Sequence, residues 1–342
     1  MARAREAEAQ GPAWQVQAAL IARRFYLDGD SKVEIADDLG LSRFKVARIL
    51  DDARALGLVE VRVHLPAPID PERSGVLQER FGLRRAIVVE GSLGSSPGSS
   101  PGGSPSARED LGHVAAELLS ELVTADDVLG LTCSRSVAAT TQALGNLADC
   151  PIVQLTGTLA GPDIEAGSVE SVRQATLVGG GKAFPIYAPM VLPDAATVLA
   201  LSGQSAIRQA LDRFETVSIA VVAIGAWEAA LSTVWETVEP GERVQASESG
   251  AVGEIGARLF DASGRAVVTP IDERVLGVTL DQLRAIPEVI GLAYGHQRAA
   301  AVSAALHGGL VDSLVCDADL ARGLLETTDE RPDRPDPRGA TA

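Results

Sequence analysis

Hydrophobic and polar positions change period along the chain, and the changes mark its elements. From Ser31 to Gly57 the sequence reads SKVEIADDLGLSRFKVARILDDARALG. Ile35, Ala36 and Leu39 form one apolar face, and Val46, Ile49, Leu50, Ala53 and Leu56 form a second, both at helical spacing. Ser31 with Glu34 three residues on has the form of a capping box, and Ser42 can cap the second helix. Gly40 falls where a tight turn needs positive φ. Two short helices crossing at the small Ala36, joined by such a turn, are helix-turn-helix logic. Upstream, Trp14, Ala18, Ile21, Ala22, Phe25 and Tyr26 share a face and predict a first helix over 14–28, with Trp14 and Tyr26 in its core.

Beyond Gly57 the period shifts to two over 58–65, which predicts a strand or wing, and Pro66, Pro68 and Pro71 end it. A short helix is expected over 69–81, then a buried strand over 86–90. The tract GSLGSSPGSSPGGSPS has no apolar content and reads as a flexible loop, set at 91–107. From Asp110 onward helical patterns alternate with short apolar runs. Strands are expected at 128–132, 152–156, 182–188, 217–224, 266–269, 289–294 and 311–316. Helices are expected at 110–123, 136–147, 168–178, 202–213, 251–260, 279–285, 296–307 and 318–325. This alternation predicts an α/β fold with a doubly wound, mostly parallel sheet. Ligands of such sheets bind beyond the carboxyl ends of strands, so the turns at 133–136, 156–160, 225–227 and 295–298 are the places for a site. The expected organisation is a tail at 1–12, a helix-turn-helix domain at 13–65, an effector domain at 66–327 and a tail at 328–342.

Charge changes the picture. The 342-residue chain carries a formal net charge of −16. Residues 1–65 hold 10 Lys+Arg and 10 Asp+Glu, so all the excess acid, 36 against 20, lies beyond them. Repulsion of that part from nucleic acid leaves the small domain as the tolerable contact. The outer face of its second helix offers Ser42, Arg43, Phe44, Lys45 and Arg48, a cationic N-terminal end suited to base edges and phosphates in a major groove. A solvated helical hairpin is the bland alternative. No apolar run is long enough for a membrane span and no signal peptide is apparent, so a cytoplasmic location is expected. Cys133, Cys150 and Cys316 are dispersed, as are the four histidines, so neither a disulfide framework nor a metal site is expected, and no cofactor.

The chain resembles the SorC family of bacterial transcriptional regulators. The resemblance runs from about residue 14 to 326 on EIADDLGLSRFKVARIL (34–50), DVLGLTCSRSV (127–137), PIVQLTGTLAG (151–161), GGGKAFPIYAPMVL (179–192), VVAIG (221–225), GAVGEIGARLFDASG (250–264) and AALHGGLVDSLVCD (304–317). It implies an effector domain similar to sugar-phosphate isomerases and deaminases, a phosphorylated sugar as ligand, an operator in double-stranded DNA, and a homodimer or homotetramer. Ser134, Arg135 and Ser136 match the family's phosphate turn, with Thr132 and Ser134 at positions usually glycine. Glu254 matches a position that accepts sugar hydroxyls. Gly295, His296 and Arg298 match a turn that usually carries two glycines and a lysine, Tyr294 replacing one glycine. Thr156, Gly157 and Gly225 complete the implied site. Phe44 and Lys45 replace a common Pro-Thr pair. The bland readings are a helix cap with one surface Arg and a surface carboxylate at 254. The alternative function is a sugar-phosphate isomerase or deaminase-like enzyme fused to the DNA-binding domain, with Glu254 and His296 as its acid–base candidates. No paired acid–base constellation stands out, and a sensor is the expected reading.

Overall fold

The computed structural model describes residues 11–59, 68–90, 105–159 and 168–326. The tail at 1–10, most of the wing strand, the Gly/Ser/Pro tract up to residue 104 and the tail from 327 lie outside these residues. The chain divides into two compact units, Met1–Pro66 and Ala67–Ala342.

In the first unit, helix α1 (Pro12–Tyr26), α2 (Lys32–Leu39) and α3 (Arg43–Ala55) pack around Ala18, Ile21, Ala22, Ile35, Ala36, Val46, Ile49, Leu50 and Ala53. Trp14 and Tyr26 pack against this core while remaining partly exposed. The capping box of α2 forms in full: Ser31 Oγ accepts from Glu34 N, and Ser31 N donates to the Glu34 carboxylate at 2.8 Å. Gly40 ends α2 in the left-handed region at φ 62°, which turns the chain into α3 without steric penalty. Ser42 Oγ accepts from Lys45 N and starts α3. Arg24 on α1 pairs with both Asp30 and Asp38, at 2.6 Å each, tying α1 to the loop and helix beyond. Leu58 and Val59, the first positions of the expected wing, are not in a strand.

The second unit is built on an eight-stranded sheet. Its chain order is β1 (Ile69–Asp70), α4 (Pro71–Phe81), β2 (Arg85–Val89), α5 (Pro105–Leu122), β3 (Leu129–Leu131), α6 (Arg135–Ala143), β4 (Ile152–Gln154), α7 (Ser168–Gly179), β5 (Ala183–Phe184), α8 (Ala195–Ser202), α9 (Ser205–Leu211), β6 (Ile219–Ala223), β7 (Gly225–Ala226), α10 (Pro240–Glu248), β8 (Gly253–Ile255), β9 (Arg258–Phe260), α11 (Leu280–Ala285), β10 (Glu288–Ala293), α12 (Ala299–His307), β11 (Ser313–Asp317) and α13 (Ala318–Glu326). The spatial order is β1-β2-β11-β10-β6-β3-β4-β5, all parallel except the edge strand β1. β7, β8 and β9 form a separate antiparallel sheet.

The main sheet is buried on both faces, so its strands read as apolar runs rather than alternations. Ala220 and Val222 of β6 face a core shared with α4, α9, α11, α12 and α13, through Leu77, Ile207, Leu283, Val302 and Leu320. Ile219 and Val221 face the opposite core, with Leu111 of α5, Val137 of α6 and Val172 of α7. This is the doubly wound α/β architecture expected from the sequence.

Several expected elements differ. Residues 251–260, expected to be helical, form the β8–β9 hairpin, whose two-residue turn holds Gly256 and Ala257 at φ 59° and 67°. Both positive angles are what a primed hairpin turn demands, and the Gly-Ala pair lacks the usual Asn-Gly signal. The strand expected at 266–269 reduces to one bridge between Ala266 and Phe260. The strand expected at 182–188 is only Ala183–Phe184, because Gln154 takes over the next pairing: its side chain accepts from Ile186 N at 2.9 Å and donates to Ile186 O. Ile69 and Asp70 pair with β2 before Asp70 caps the helix that follows. Pro105 starts α5, so the end of the expected loop is helical. Helix α6 stops at Ala143, and α8 and α10 add to the expected elements.

Among the described residues no helix is long and apolar enough to cross a membrane. Gly157 is fixed by close approach. A Cβ at Gly157 would lie 2.5 Å from Pro189 O and 2.6 Å from Met190 N. That backbone cannot retreat, because Met190 N donates to Thr158 O and Thr158 N to Ala188 O. Gly157→Ala is therefore expected to cost about 2 kcal/mol, as overpacked sites do. A lowered urea midpoint with an unchanged slope would register it.

Candidate functional site

Two surfaces carry candidate chemistry, one in each unit. On α3 the buried positions Val46, Ile49, Leu50 and Ala53 leave the opposite face free. Ser42, Arg43, Phe44, Lys45 and Arg48 are all exposed on it. Among the described residues none of Arg43, Lys45 and Arg48 is drawn into an ion pair, so their charge is available to an anionic partner.

In the second unit the sheet itself creates the site. From β3 the chain steps to β4 and β5 on one side, then returns as β6 on the other side of β3. Connections leaving β3 and β6 diverge, and a crevice opens at their carboxyl ends, where ligands of such sheets bind. The cavity found there has a volume of about 50 Å³ and opens to solvent.

The first wall is the turn after β3. Thr132, Cys133 and Ser134 lead into α6, Ser134 Oγ caps it by accepting from Val137 N at 3.0 Å, and Arg135 and Ser136 open its first turn. Thr132 N donates to Val221 O and Cys133 N to Thr156 Oγ1, so the anion-binding potential of this wall lies in the positive end of α6. The Arg135 side chain makes no hydrogen bond or ion pair among the described residues, and the residue is partly exposed.

The second wall comes from the end of β10. Arg298 is 6% exposed, donates from Nη1 to Tyr294 O at 2.8 Å and lies 4.8 Å from the Tyr294 ring centroid. Burial pulls its pKa down, and Arg135 adds to that; Tyr294, Asp317 and Glu254 act the other way. Asp317 accepts from Gly295 N at 3.0 Å and Leu320 N at 2.9 Å, which locks the turn carrying Arg298.

The small sheet supplies the third wall. Glu254 on β8 pairs in register with Gly225 on β7 and is 6% exposed. Its carboxylate accepts from Ser232 Oγ at 3.2 Å and Ala257 N at 3.1 Å. Burial raises its pKa above the ordinary carboxylate range, against the lowering effect of those two donors and of Arg298. A Cβ at Gly225 would sit 2.5 Å from Glu254 Oε1, so Gly225 is the space into which the carboxylate fits.

The structure thus brings Ser134, Arg135, Ser136, Gly225, Glu254 and Arg298 to one cavity. It does not bring the other four expected residues to the lining. Thr156 is fully buried behind the first wall, where its Oγ1 accepts from Cys133 N at 2.9 Å and holds the turn. Gly157 lies behind it, donating to Leu276 O. Gly295 shapes the turn at φ 84°. His296 points away and faces Glu326 on α13 at 3.2 Å. Conversely, Leu231, Thr233 and Val234 line the cavity from the segment between β7 and α10. No local signal in WEAALSTVWET marks them, because their approach depends on Ser232 reaching Glu254. Among the described residues no group of three or more His, Cys, Asp and Glu could hold a metal ion.

A helix-turn-helix unit with a free cationic face, joined to a switch-point α/β domain whose crevice holds two guanidinium groups and a carboxylate, defines the class of ligand-responsive transcription regulators. Comparison with known proteins agrees. Residues 70–326 match the family model described as "Putative sugar-binding domain". The transcriptional regulator LsrR of Escherichia coli K12 is 27% identical over 93% of this chain and 97% of its own length. The transcriptional regulator YjhU of the same strain is 28% identical over 88% of this chain and 92% of its own. The full-length sorbitol operon regulator SorC of Klebsiella pneumoniae shares the fold, with TM-score 0.67 and 21% identity over 91% of this chain and 98% of that one. A DeoR family transcriptional regulator from Listeria monocytogenes has TM-score 0.64 and 25% identity over 74% of this chain and 98% of that one. The chain belongs to the SorC family of sugar-binding transcriptional regulators.

The buried carboxylate makes a testable statement about pH. Glu254 holds its proton more tightly in the folded chain than in the unfolded one. The stability it contributes is therefore full below the ordinary carboxylate range and is lost as pH rises through its elevated folded-state pKa. Glu254→Gln, which removes the charge and keeps one acceptor oxygen where the carboxylate offers Ser232 and Ala257 one each, is expected to raise the melting temperature relative to the parent at pH 7–8 and to lose that advantage near pH 4. Thermal unfolding across that range checks it.

Proposed function

We propose that this regulator senses a phosphorylated sugar in the β3–β6 crevice and alters its affinity for an operator accordingly. The observation that carries the reading is the placement of Arg135 and Arg298 at one cavity with the N-terminus of α6 and the Glu254 carboxylate. Two guanidinium groups and unpaired helix amides suit a phosphate, while a carboxylate braced by Ser232 suits sugar hydroxyls. Ser134 and Ser136 add hydroxyl partners, and Gly225 keeps Glu254 in reach. The cavity opens to solvent, so a phosphate held by the arginines leaves its sugar toward the mouth. Thr156, Gly157 and Gly295 support this site from behind rather than touching its ligand, and His296 turns away from it.

The operator is double-stranded DNA, met by Ser42, Arg43, Phe44, Lys45 and Arg48 on α3, and the regulator works in the cytoplasm as a homodimer or homotetramer. Helix α8 supports assembly: Val198 and Leu201 pack on the main core, while Leu199 between them is 77% exposed. A ligand that binds one arrangement of the oligomer more tightly than another shifts DNA affinity by that difference.

Against a panel of sugars and their phosphates, one phosphorylated compound is expected to raise the melting temperature, by about 2.7 kcal/mol of stabilisation at a hundredfold excess over Kd. Arg135→Ala should abolish that shift while operator binding persists; an unchanged shift would move the phosphate elsewhere. Arg43→Ala and Arg48→Ala are each expected to weaken operator binding and to reduce the slope of log affinity against log salt by about one where the lost contact is to phosphate. Fluorescence anisotropy on an operator duplex at several salt concentrations reads both effects.

A further inference from the structure

The most exposed large hydrophobic side chain among the described residues is Phe44, at 85%. Its setting makes that exposure informative. Phe44 is the second residue of α3, directly after the Ser42 cap and Arg43, and it is followed by Lys45 and, one turn on, Arg48. The helix needs none of its bulk: the apolar contacts of α3 are made by Val46, Ile49, Leu50 and Ala53 on the other face. An aromatic residue at a solvated helical position also loses rotamer freedom and gains no burial. The fold therefore gives no reason for a phenyl ring here.

The surroundings select its partner. Three cations ring an apolar group, so the surface that receives it is polyanionic yet has an apolar point within reach. Duplex DNA approached through the major groove has that combination. The N-terminal residues of a recognition helix face the base edges, and the thymine 5-methyl is the apolar group displayed there. We propose that Phe44 reads thymine through this methyl group, making it a specificity-determining residue of the DNA contact. Arg43, Lys45 and Arg48 supply charge and polar contacts around it. The proposal rests on α3 being the recognition helix and adds the base that the ring selects.

The test uses the full-length protein and starts without an identified operator. Duplexes are selected from a random-sequence library, and affinity for the enriched sequence is measured by anisotropy at fixed salt. Each thymine is then replaced in turn by deoxyuridine, which removes only the 5-methyl. Deoxyuridine is expected to weaken binding about fourfold at one position per half-site, the size of one methyl withdrawn from apolar contact. Phe44→Ala should weaken binding to the thymine duplex and lose the deoxyuridine effect at that position, so that the two changes are non-additive. Its melting curve should match the parent, because the ring buries nothing in the fold.

Phe44→Ala that keeps parental affinity and the parental deoxyuridine profile overturns the proposal. So does a Phe44→Ala protein whose oligomeric state changes by light scattering while the profile stays the same, which would make the ring a contact between chains. Failure of the underlying assignment looks different. In that case no sequence is enriched, or Arg43→Ala and Arg48→Ala bind as the parent does, and the assignment and the proposal fall together.

Discussion

Strands β3 and β6 are hydrogen-bonded neighbours whose outgoing connections run to opposite sides of the sheet. No chain can close over the gap this leaves at their carboxyl ends, so the crevice is a consequence of topology. Every other feature of the effector site depends on it. The turn after β3 brings the positive end of α6 to it because that helix starts there. Arg298 arrives because β10 ends beside β6, and Glu254 arrives because the small sheet begins at Gly225, immediately beyond β6.

Charge in this crevice is held out of water, and that is what gives it chemical meaning. Glu254 and Arg298 are each 6% exposed, and burial disfavours the charged form of both. The protein retains them with few compensating bonds: two donors to the carboxylate, and one carbonyl and an aromatic face for the guanidinium. Arg135 stands near Arg298 and raises the cost further. Under the proposed function, an incoming dianion relieves the repulsion between these two cations, which is how an effector gains differential affinity. The contrast with Arg258 is instructive. It is also largely buried, but it donates to the carbonyls of Asp272, Val275, Gly277 and Val278, so its role is to clamp a loop.

The first unit obeys a different rule, because its chemistry faces outward. Its core is complete without the exposed face of α3, and the charged residues of α3's first turns are left to a partner. Under the proposed function, the acidic excess beyond residue 65 confines DNA contact to that face.

What could be read from the sequence follows the range of the forces involved. The helix-turn-helix was legible because its signals are local: Ser31, Glu34, Gly40 and Ser42 act within one turn of themselves, and helical periodicity needs no partner. The parallel α/β sheet was legible because apolar runs alternating with helical patterns leave few other ways to bury both faces. Arg135 and Arg298 were named from motif resemblance, not from any local signal. The β8–β9 hairpin was misread because three-residue strands carry almost no period, and a Gly-Ala turn shows its positive φ only once built. Thr156 and His296 sit in the right turns, but a residue's turn does not say which way its side chain points. The sequence by itself determined the three helices of the first unit, most strands of the main sheet, the class of both units and the cationic helix face, all products of short-range preference and burial. Only the tertiary structure decided that Glu254 meets Gly225, that Ser232 braces it, and that His296 turns away toward Glu326, because strand register and the packing of distant segments set those positions.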